Sequence, residues 1–119
     1  MKVFRFDQEI GQKMGVYDSN FILSRIVMTE RPARVGCMYL ERGGLIGFHQ
    51  AAVPQLFLVV QGKGWVRGEE NEKRRITQGE AAFWDAGEGH ETTTDTGLTA
   101  IVIESEVLDP AKFLTEIKK

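Results

Sequence analysis

The chain contains two histidines, His49 and His90, and each lies in a glycine-rich segment beside a strand-like apolar run. Imidazole nitrogens ligate transition metals, and because imidazole titrates near neutral pH it also binds polar or anionic small molecules. Alternate residues of a strand share one face if no bulge intervenes, which groups His49, Ala51 and Gln55, and also His90, Thr92 and Thr94. If the two strands face each other, both histidines line one cavity.

Short strands separated by turns account for most of the chain. Strand-like runs occupy residues 2–6, 20–28, 35–40, 55–62, 80–87 and 98–105, and segments 64–68 and 73–77 flank a polar loop, as in a β-hairpin. Turns recur at intervals of roughly ten residues, which is typical of a β-sandwich or barrel. No linker or repeat divides the sequence, so we expect one all-β domain over residues 1–119.

The C-terminal segment, residues 108–119, carries helix signals. Asp109 suits the N-cap position, and Pro110 at the first helical position has a fixed φ and no amide hydrogen to leave unbonded. Leu108 and Phe113 have the spacing of a hydrophobic staple, and two lysines follow where the helix dipole is negative. The sequence therefore predicts a short C-terminal helix that docks on the barrel or on a partner.

Charge and composition argue against several classes of protein. Fifteen basic and seventeen acidic residues leave a net charge of −2, without the basic surface expected of a nucleic-acid-binding protein. The longest apolar run, residues 56–60, is too short to cross a membrane, and residues 1–11 carry charges at Lys2, Arg5 and Asp7 and contain no apolar h-region of a signal peptide. The single cysteine, Cys37, rules out an internal disulfide, and its alternation with Val35 and Tyr39 predicts a buried thiol. We therefore expect a cytoplasmic protein that binds neither nucleic acid nor membranes.

The residues around His49 have a regular spacing. Five residues separate Gly43 from His49, Ala51 follows two positions later, three more residues lead to Gln55, and a further six lead to Gly62. This spacing resembles the first motif of the cupin superfamily. Two positions depart from that motif, because Ala51 stands where a second histidine is usual and Gln55 stands where a glutamate is usual.

The residues around His90 resemble the second cupin motif. Gly79 is followed after five residues by Asp85, where proline is usual, and Gly87 and His90 are in their expected places. Thr94 stands at the position of an asparagine. The two motifs together span residues 43–94. The resemblance implies a small antiparallel jelly-roll β-barrel whose motif side chains point inward, to which the sequence adds the short C-terminal helix.

The resemblance also implies a metal site, in which His49, Gln55 and His90 are the ligands that remain. In many cupins three histidines and a carboxylate hold a divalent ion such as nickel, zinc, iron or manganese. Here a neutral amide replaces the anionic ligand, so we expect weak metal binding or none, because two imidazoles and an amide oxygen give no counter-charge. A carboxylate from another strand would restore the charge, and the candidates are Glu41, Asp85 and Glu104.

Three functions are compatible with this pattern. The first is a cupin that binds a small anionic or aromatic molecule in its barrel, with a partly degenerate metal site and little or no catalysis. The second is a metal-dependent cupin enzyme of the dioxygenase or isomerase type that uses His49, Gln55 and His90 as ligands. The third is a structural or regulatory dimer module whose cavity is incidental, since fold alone does not choose a function.

A homodimer is implied by the same resemblance. A two-sheet sandwich leaves exposed edges that need covering, and we expect residues 2–6 and the C-terminal helix to contribute to the interface.

Three aromatic residues either line the pocket or belong to the core, and they are Trp65, Phe83 and Trp84.

Overall fold

The computed structural model describes residues 1–118 and shows an antiparallel β structure. The strands are β1 (Lys2–Arg5), β2 (Gln12–Met14), β3 (Phe21–Leu23), β4 (Ala33–Leu40), β5 (Leu45–Gln50), β6 (Gln55–Arg67), β7 (Arg74–Thr77), β8 (Glu80–Trp84), β9 (Gly89–Thr93), β10 (Leu98–Ser105) and β11 (Thr115–Glu116). Short 3-10 helices lie at Gln8–Ile10, Val16–Asp18 and Pro110–Lys112. The all-β prediction is confirmed, as is the hairpin, which β7 forms with the second half of β6.

One strand, β6, joins the two layers of the barrel. Its first half pairs with β8 and β10 in the layer ordered β11-β1-β8-β6-β10-β4, and its second half pairs with β7 and β9, with β5 beyond β9. The strand turns between the layers where the register with β10 shifts, opposite Thr99 and Ala100. Gly62 lies at this turn with φ of +83°, and a Cβ there would collide with the carbonyl oxygen of Gly97. The jelly-roll architecture follows from this shared strand.

Two apolar cores lie on the two faces of the first layer. The alternation along β10 shows the division, because Leu98, Ala100 and Val102 point into the barrel while Ile101 and Ile103 point to the outer face. The inner core also contains Phe57, Val59, Val66, Ile76, Ala82 and Trp84. The outer core packs against the N-terminal segment and the C-terminal residues. Inward-facing positions of β6, β8 and β10 therefore line the barrel.

The predicted C-terminal helix is wrong. Residues Pro110–Lys112 form a single 3-10 turn, and the Asp109 side chain makes no capping hydrogen bond. The chain then continues as β11, which pairs with β1 through Phe4 and Glu116. Strand pairing and the burial of Leu114 in the outer core outweigh an isolated helix of this length, which is marginal in water. The last residue of the predicted helix, Lys119, lies outside the described residues.

Two further sequence predictions need correction. The run at residues 20–28 gives a strand only over Phe21–Leu23, which forms a separate hairpin with β2. Cys37 is exposed, because it points to the outer face of β4, and no part of residues 1–118 covers that face. No helix in the described part of the chain is long and apolar enough to cross a membrane.

Candidate functional site

His49 and His90 lie directly opposite each other on the antiparallel pair β5–β9. Their ring centroids are 4.4 Å apart, with the planes tilted by 55°. His90 is buried, at 2% exposure, whereas His49 is exposed. The structure thus brings together the two histidines that the sequence separates by 41 positions.

A bulge in β5 turns His49 toward the barrel. Ile46 pairs with Thr92 and packs against the inner core, so simple alternation would point Phe48 inward and His49 outward. The register instead shifts by one residue between Ile46 and His49, which places His49 opposite His90. The side chains of directly paired residues share a face, so both histidines lie on the inner side of β5 and β9.

Backbone carbonyl groups fix the tautomer of each imidazole. The Nδ1 atom of His49 lies 2.7 Å from the carbonyl oxygen of Gly47, and Nδ1 of His90 lies 3.2 Å from that of Glu88. A carbonyl oxygen only accepts hydrogen bonds, so each Nδ1 carries the proton and donates it. In this tautomer the lone pair of each ring lies on Nε2. Nε2 of His90 is buried and has no hydrogen-bond partner within residues 1–118.

Trp84, at the end of β8, stacks on His90. The ring centroids are 4.3 Å apart and the planes differ by 24°. The indole Nε1 of Trp84 is also buried without a hydrogen-bond partner in the described chain. Two stacked rings therefore present one unsatisfied acceptor, on His90, and one unsatisfied donor, on Trp84.

Burial lowers the pKa of His90. Loss of solvent is the largest cause, and the neighbouring His49 lowers the pKa further, while the carbonyl of Glu88 and the carboxylates of Glu88 and Glu104 act in the opposite direction. The imidazole of His90 is therefore neutral near neutral pH, which is the state that accepts a hydrogen bond or ligates a metal through Nε2.

Gln55, the first residue of β6, lies at the same end of the barrel as the histidines. It is paired in register with Trp84 on one side and with Glu104 on the other. Its Nε2 donates a hydrogen bond of 3.2 Å to Oε2 of Glu104, and its side chain is 7% exposed. The amide nitrogen thus already donates to Glu104, and the amide oxygen is the atom of this side chain that can accept a hydrogen bond from a ligand.

The sequence left two roles open for Trp84, which either lined the pocket or belonged to the core. It also did not distinguish Glu104 from the other candidate carboxylates. Inward alternation along β10 was the available signal, since Leu98, Ala100, Val102 and Glu104 share parity. The remaining candidates, Glu41 and Asp85, are exposed.

A metal ion fits this arrangement poorly. Within residues 1–118 no group of three or more histidine, cysteine, aspartate or glutamate side chains is placed to hold one. Ala51, at the position of the missing histidine, is buried, and its backbone is tied by hydrogen bonds to Glu88 and Gly87. Two imidazole nitrogens and the amide oxygen of Gln55 remain, and these neutral donors fall short of the usual set.

A cavity of about 430 Å³ adjoins the Gln55–Glu104 pair, which is within the size range of small-molecule pockets. Glu104 lines it, together with Arg34 of β4 and with Ala52 and Val53 of the turn that follows β5. The cavity and the histidine pair therefore lie at the same end of the barrel.

Solved structures share this architecture. An RmlC-like cupin from Shewanella frigidimarina is 19% identical, covers 66% of this chain and 70% of that chain, and has a TM-score of 0.59. A predicted oxalate decarboxylase from Thermotoga maritima is 24% identical, with coverages of 60% and 64% and a TM-score of 0.55. KdgF from a Halomonas species is 26% identical, with coverages of 67% and 74% and a TM-score of 0.54. The chain has the cupin fold.

No protein-family model and no curated protein matches this chain by sequence. At these identities the solved structures establish the fold alone. They include enzymes of different names as well as cupins described only by their fold.

Proposed function

We propose that the chain is a small-molecule-binding cupin whose ligand contacts the histidine pair and the Gln55–Glu104 pair at one end of the barrel. The observation that carries the proposal is the buried, unpartnered Nε2 of His90. An unsatisfied buried acceptor costs about 1–3 kcal/mol, and a ligand that donates a hydrogen bond to it would recover that cost. His49 is the exposed member of the pair, so the ligand reaches His90 from the side of His49.

Metal binding, in this proposal, is weak and is not needed to hold the ligand. The described residues offer two imidazole nitrogens and an amide oxygen, without a carboxylate in the family's usual position. Any binding would be lost on acidification, because a ligating imidazole must be neutral.

The second candidate function is a metal-dependent enzyme that uses His49, Gln55 and His90 as ligands. One observation favours it: both Nδ1 atoms donate to backbone carbonyls, which leaves the Nε2 lone pair of each ring available to ligate a metal ion. The predicted oxalate decarboxylase and the DMSP lyases among the similar structures carry the names of enzymes. A metal ion bound here would supply Lewis-acid chemistry, and the two imidazoles, with the amide oxygen of Gln55, would hold it.

Nuclear magnetic resonance of the imidazole rings tests the two functions together. With two histidines in the chain, the ring signals of each can be assigned from the His49→Ala variant. Zinc added to the protein should shift both sets of ring signals only at high concentration, and a library of small molecules should contain members that shift them without zinc. Tight, stoichiometric zinc binding by the natural protein would instead support the enzyme. If no metal or small molecule perturbs either ring, the proposed function is wrong.

We also propose that this cupin forms a homodimer through the open edge of β4. Within residues 1–118 this strand pairs with β10 on one side only, and it exposes Val35 at 63% and Tyr39 at 76%. Exposed apolar edge strands favour pairing with a second chain. β1, which the sequence favoured as a contributor, is paired on both sides, with β8 and β11.

Cytoplasmic location stays a prediction from the sequence.

A further inference from the structure

We infer that the ligand of this cupin is an uncharged, hydroxyl-rich molecule such as a sugar or polyol, and that Glu104 is the carboxylate that selects it over an anion. The inference rests on the proposed function and deepens it, because it concerns the same end of the barrel. Several donors and acceptors at this site are already engaged within the protein, and those that remain free determine which ligand fits.

Most polar atoms left free at the site are acceptors. Nδ1–H of each histidine donates a hydrogen bond to a backbone carbonyl, and Nε2–H of the Gln55 amide donates one to the Glu104 carboxylate. What remains is Nε2 of each histidine, the amide oxygen of Gln55 and the remaining lone pairs of the Glu104 carboxylate. A fully ionised anion has no hydrogen to give these atoms, whereas a hydroxyl group does.

Trp84 adds one requirement that a pure donor does not meet. Its indole N–H is buried and unpartnered in the described chain, and it belongs to the ring stacked on His90. A ligand that satisfies this site must therefore accept a hydrogen bond from Trp84 and donate hydrogen bonds to the neighbouring acceptors. A hydroxyl group is both at once, since it has one hydrogen and two lone pairs, whereas an ammonium group only donates.

The charges around the adjoining cavity also favour an uncharged ligand. Its lining includes the side chains of Arg34, Glu104 and Glu106. Glu106 is exposed and pairs with Arg31 at 3.6 Å, which leaves Arg34 and Glu104 as the remaining charges of opposite sign. Of these two charged side chains, Glu104 is in direct contact with the ligand site, because it accepts a hydrogen bond from Gln55. The carboxylate lost at position 55 is thus present one strand away, on β10.

Sugars that share one ring and differ in charge test the inference. Glucose, glucuronate and glucosamine are titrated into the protein, alongside a panel of neutral hexoses, pentoses and polyols, and the ring signals of His90 are followed by nuclear magnetic resonance. At least one neutral member should shift those signals, and its uronate should bind roughly tenfold more weakly, the effect expected of one nearby like charge. Glu104→Gln should remove this discrimination, whereas Glu41→Gln, the same charge change at an exposed carboxylate that does not line this cavity, should preserve it.

Three results would overturn the inference. The uronate binds the natural protein as well as the neutral sugar does, or Glu104→Gln leaves the ratio of their affinities unchanged, or no member of the neutral panel shifts the His90 signals. In each case the proposed function survives if zinc-free binding of another small molecule still perturbs the two rings, and it fails with the inference only if nothing does.

Discussion

Gln55 and Glu104 occupy paired positions on β6 and β10, and a hydrogen bond of 3.2 Å joins the Gln55 amide nitrogen to the Glu104 carboxylate. Replacing Glu104 by alanine leaves that buried amide without its partner. We expect a loss of about 1–2 kcal/mol in the free energy of unfolding, measured by urea denaturation. Glu106→Ala is the control, because its exposed ion pair with Arg31 contributes little. Equal stability of the two variants would show that the bond does not matter.

Acid should destabilise the protein through His90. Burial lowers the pKa of this imidazole below its ordinary value of 6.5, so the unfolded chain binds a proton more readily than the folded one. The stabilisation is therefore fully present above about pH 6.5 and is lost as the pH falls through the folded pKa. Urea denaturation at a series of pH values should show this fall in the natural protein and a weaker fall in His90→Gln. An identical slope in both proteins would exclude His90 as the cause.

Restoring the family's ligands should restore metal binding. The double variant Ala51→His with Gln55→Glu adds an imidazole and a carboxylate, and we expect zinc or nickel affinity to rise by roughly 100-fold or more, measured by titration calorimetry. The single variant Gln55→Glu isolates the charge. Failure of the double variant, provided that it folds, would mean that position 51 no longer presents its side chain to the histidine pair.

A charge on the open edge of β4 should separate the proposed dimer. Val35 and Tyr39 are exposed on its outer face, and a lysine there resists pairing with a second strand. Light scattering should give a dimer for the natural protein and a monomer for the double variant Val35→Lys with Tyr39→Lys. Val107→Lys introduces the same charge at another exposed apolar position and should leave the dimer intact. A natural protein that is monomeric at micromolar concentration contradicts the proposal.

Strand periodicity and the recurrence of turns predicted an all-β sandwich or barrel, because both are local signals, and the resemblance to the two cupin motifs implied the jelly-roll form. The spacing of these motifs predicted that His49 and His90 would meet, and the structure places them opposite each other, although their role as a site remains a prediction. The bulge before His49 has no clear sequence signature, yet it decides which way that side chain points. Without it, the alternation rule alone would have directed Phe48 inward.

The errors have a common cause, which is that tertiary contacts overrode local preference. The capping residues around Asp109 favour a helix, but the segment after it pairs with β1 instead. Cys37 alternates as an inward residue would, but it lies on a face that residues 1–118 leave uncovered. The partnership of Glu104 with Gln55 joins residues 49 positions apart, so no local pattern contains it.

The 13-residue strand β6 belongs to both layers, and this has a consequence for how the protein unfolds. Neither layer can melt alone, because each would have to release a strand that the other still holds. A short hairpin loop gives β6 its pairs with β7, but its partners β9 and β10 lie further along the chain, and β10 begins more than 30 residues beyond it. The backbone must therefore close larger loops before the remaining pairs of the shared strand form. Folding of this chain is therefore expected to be slow and all-or-none, and the amide hydrogens of β6 should be among the last to exchange with solvent.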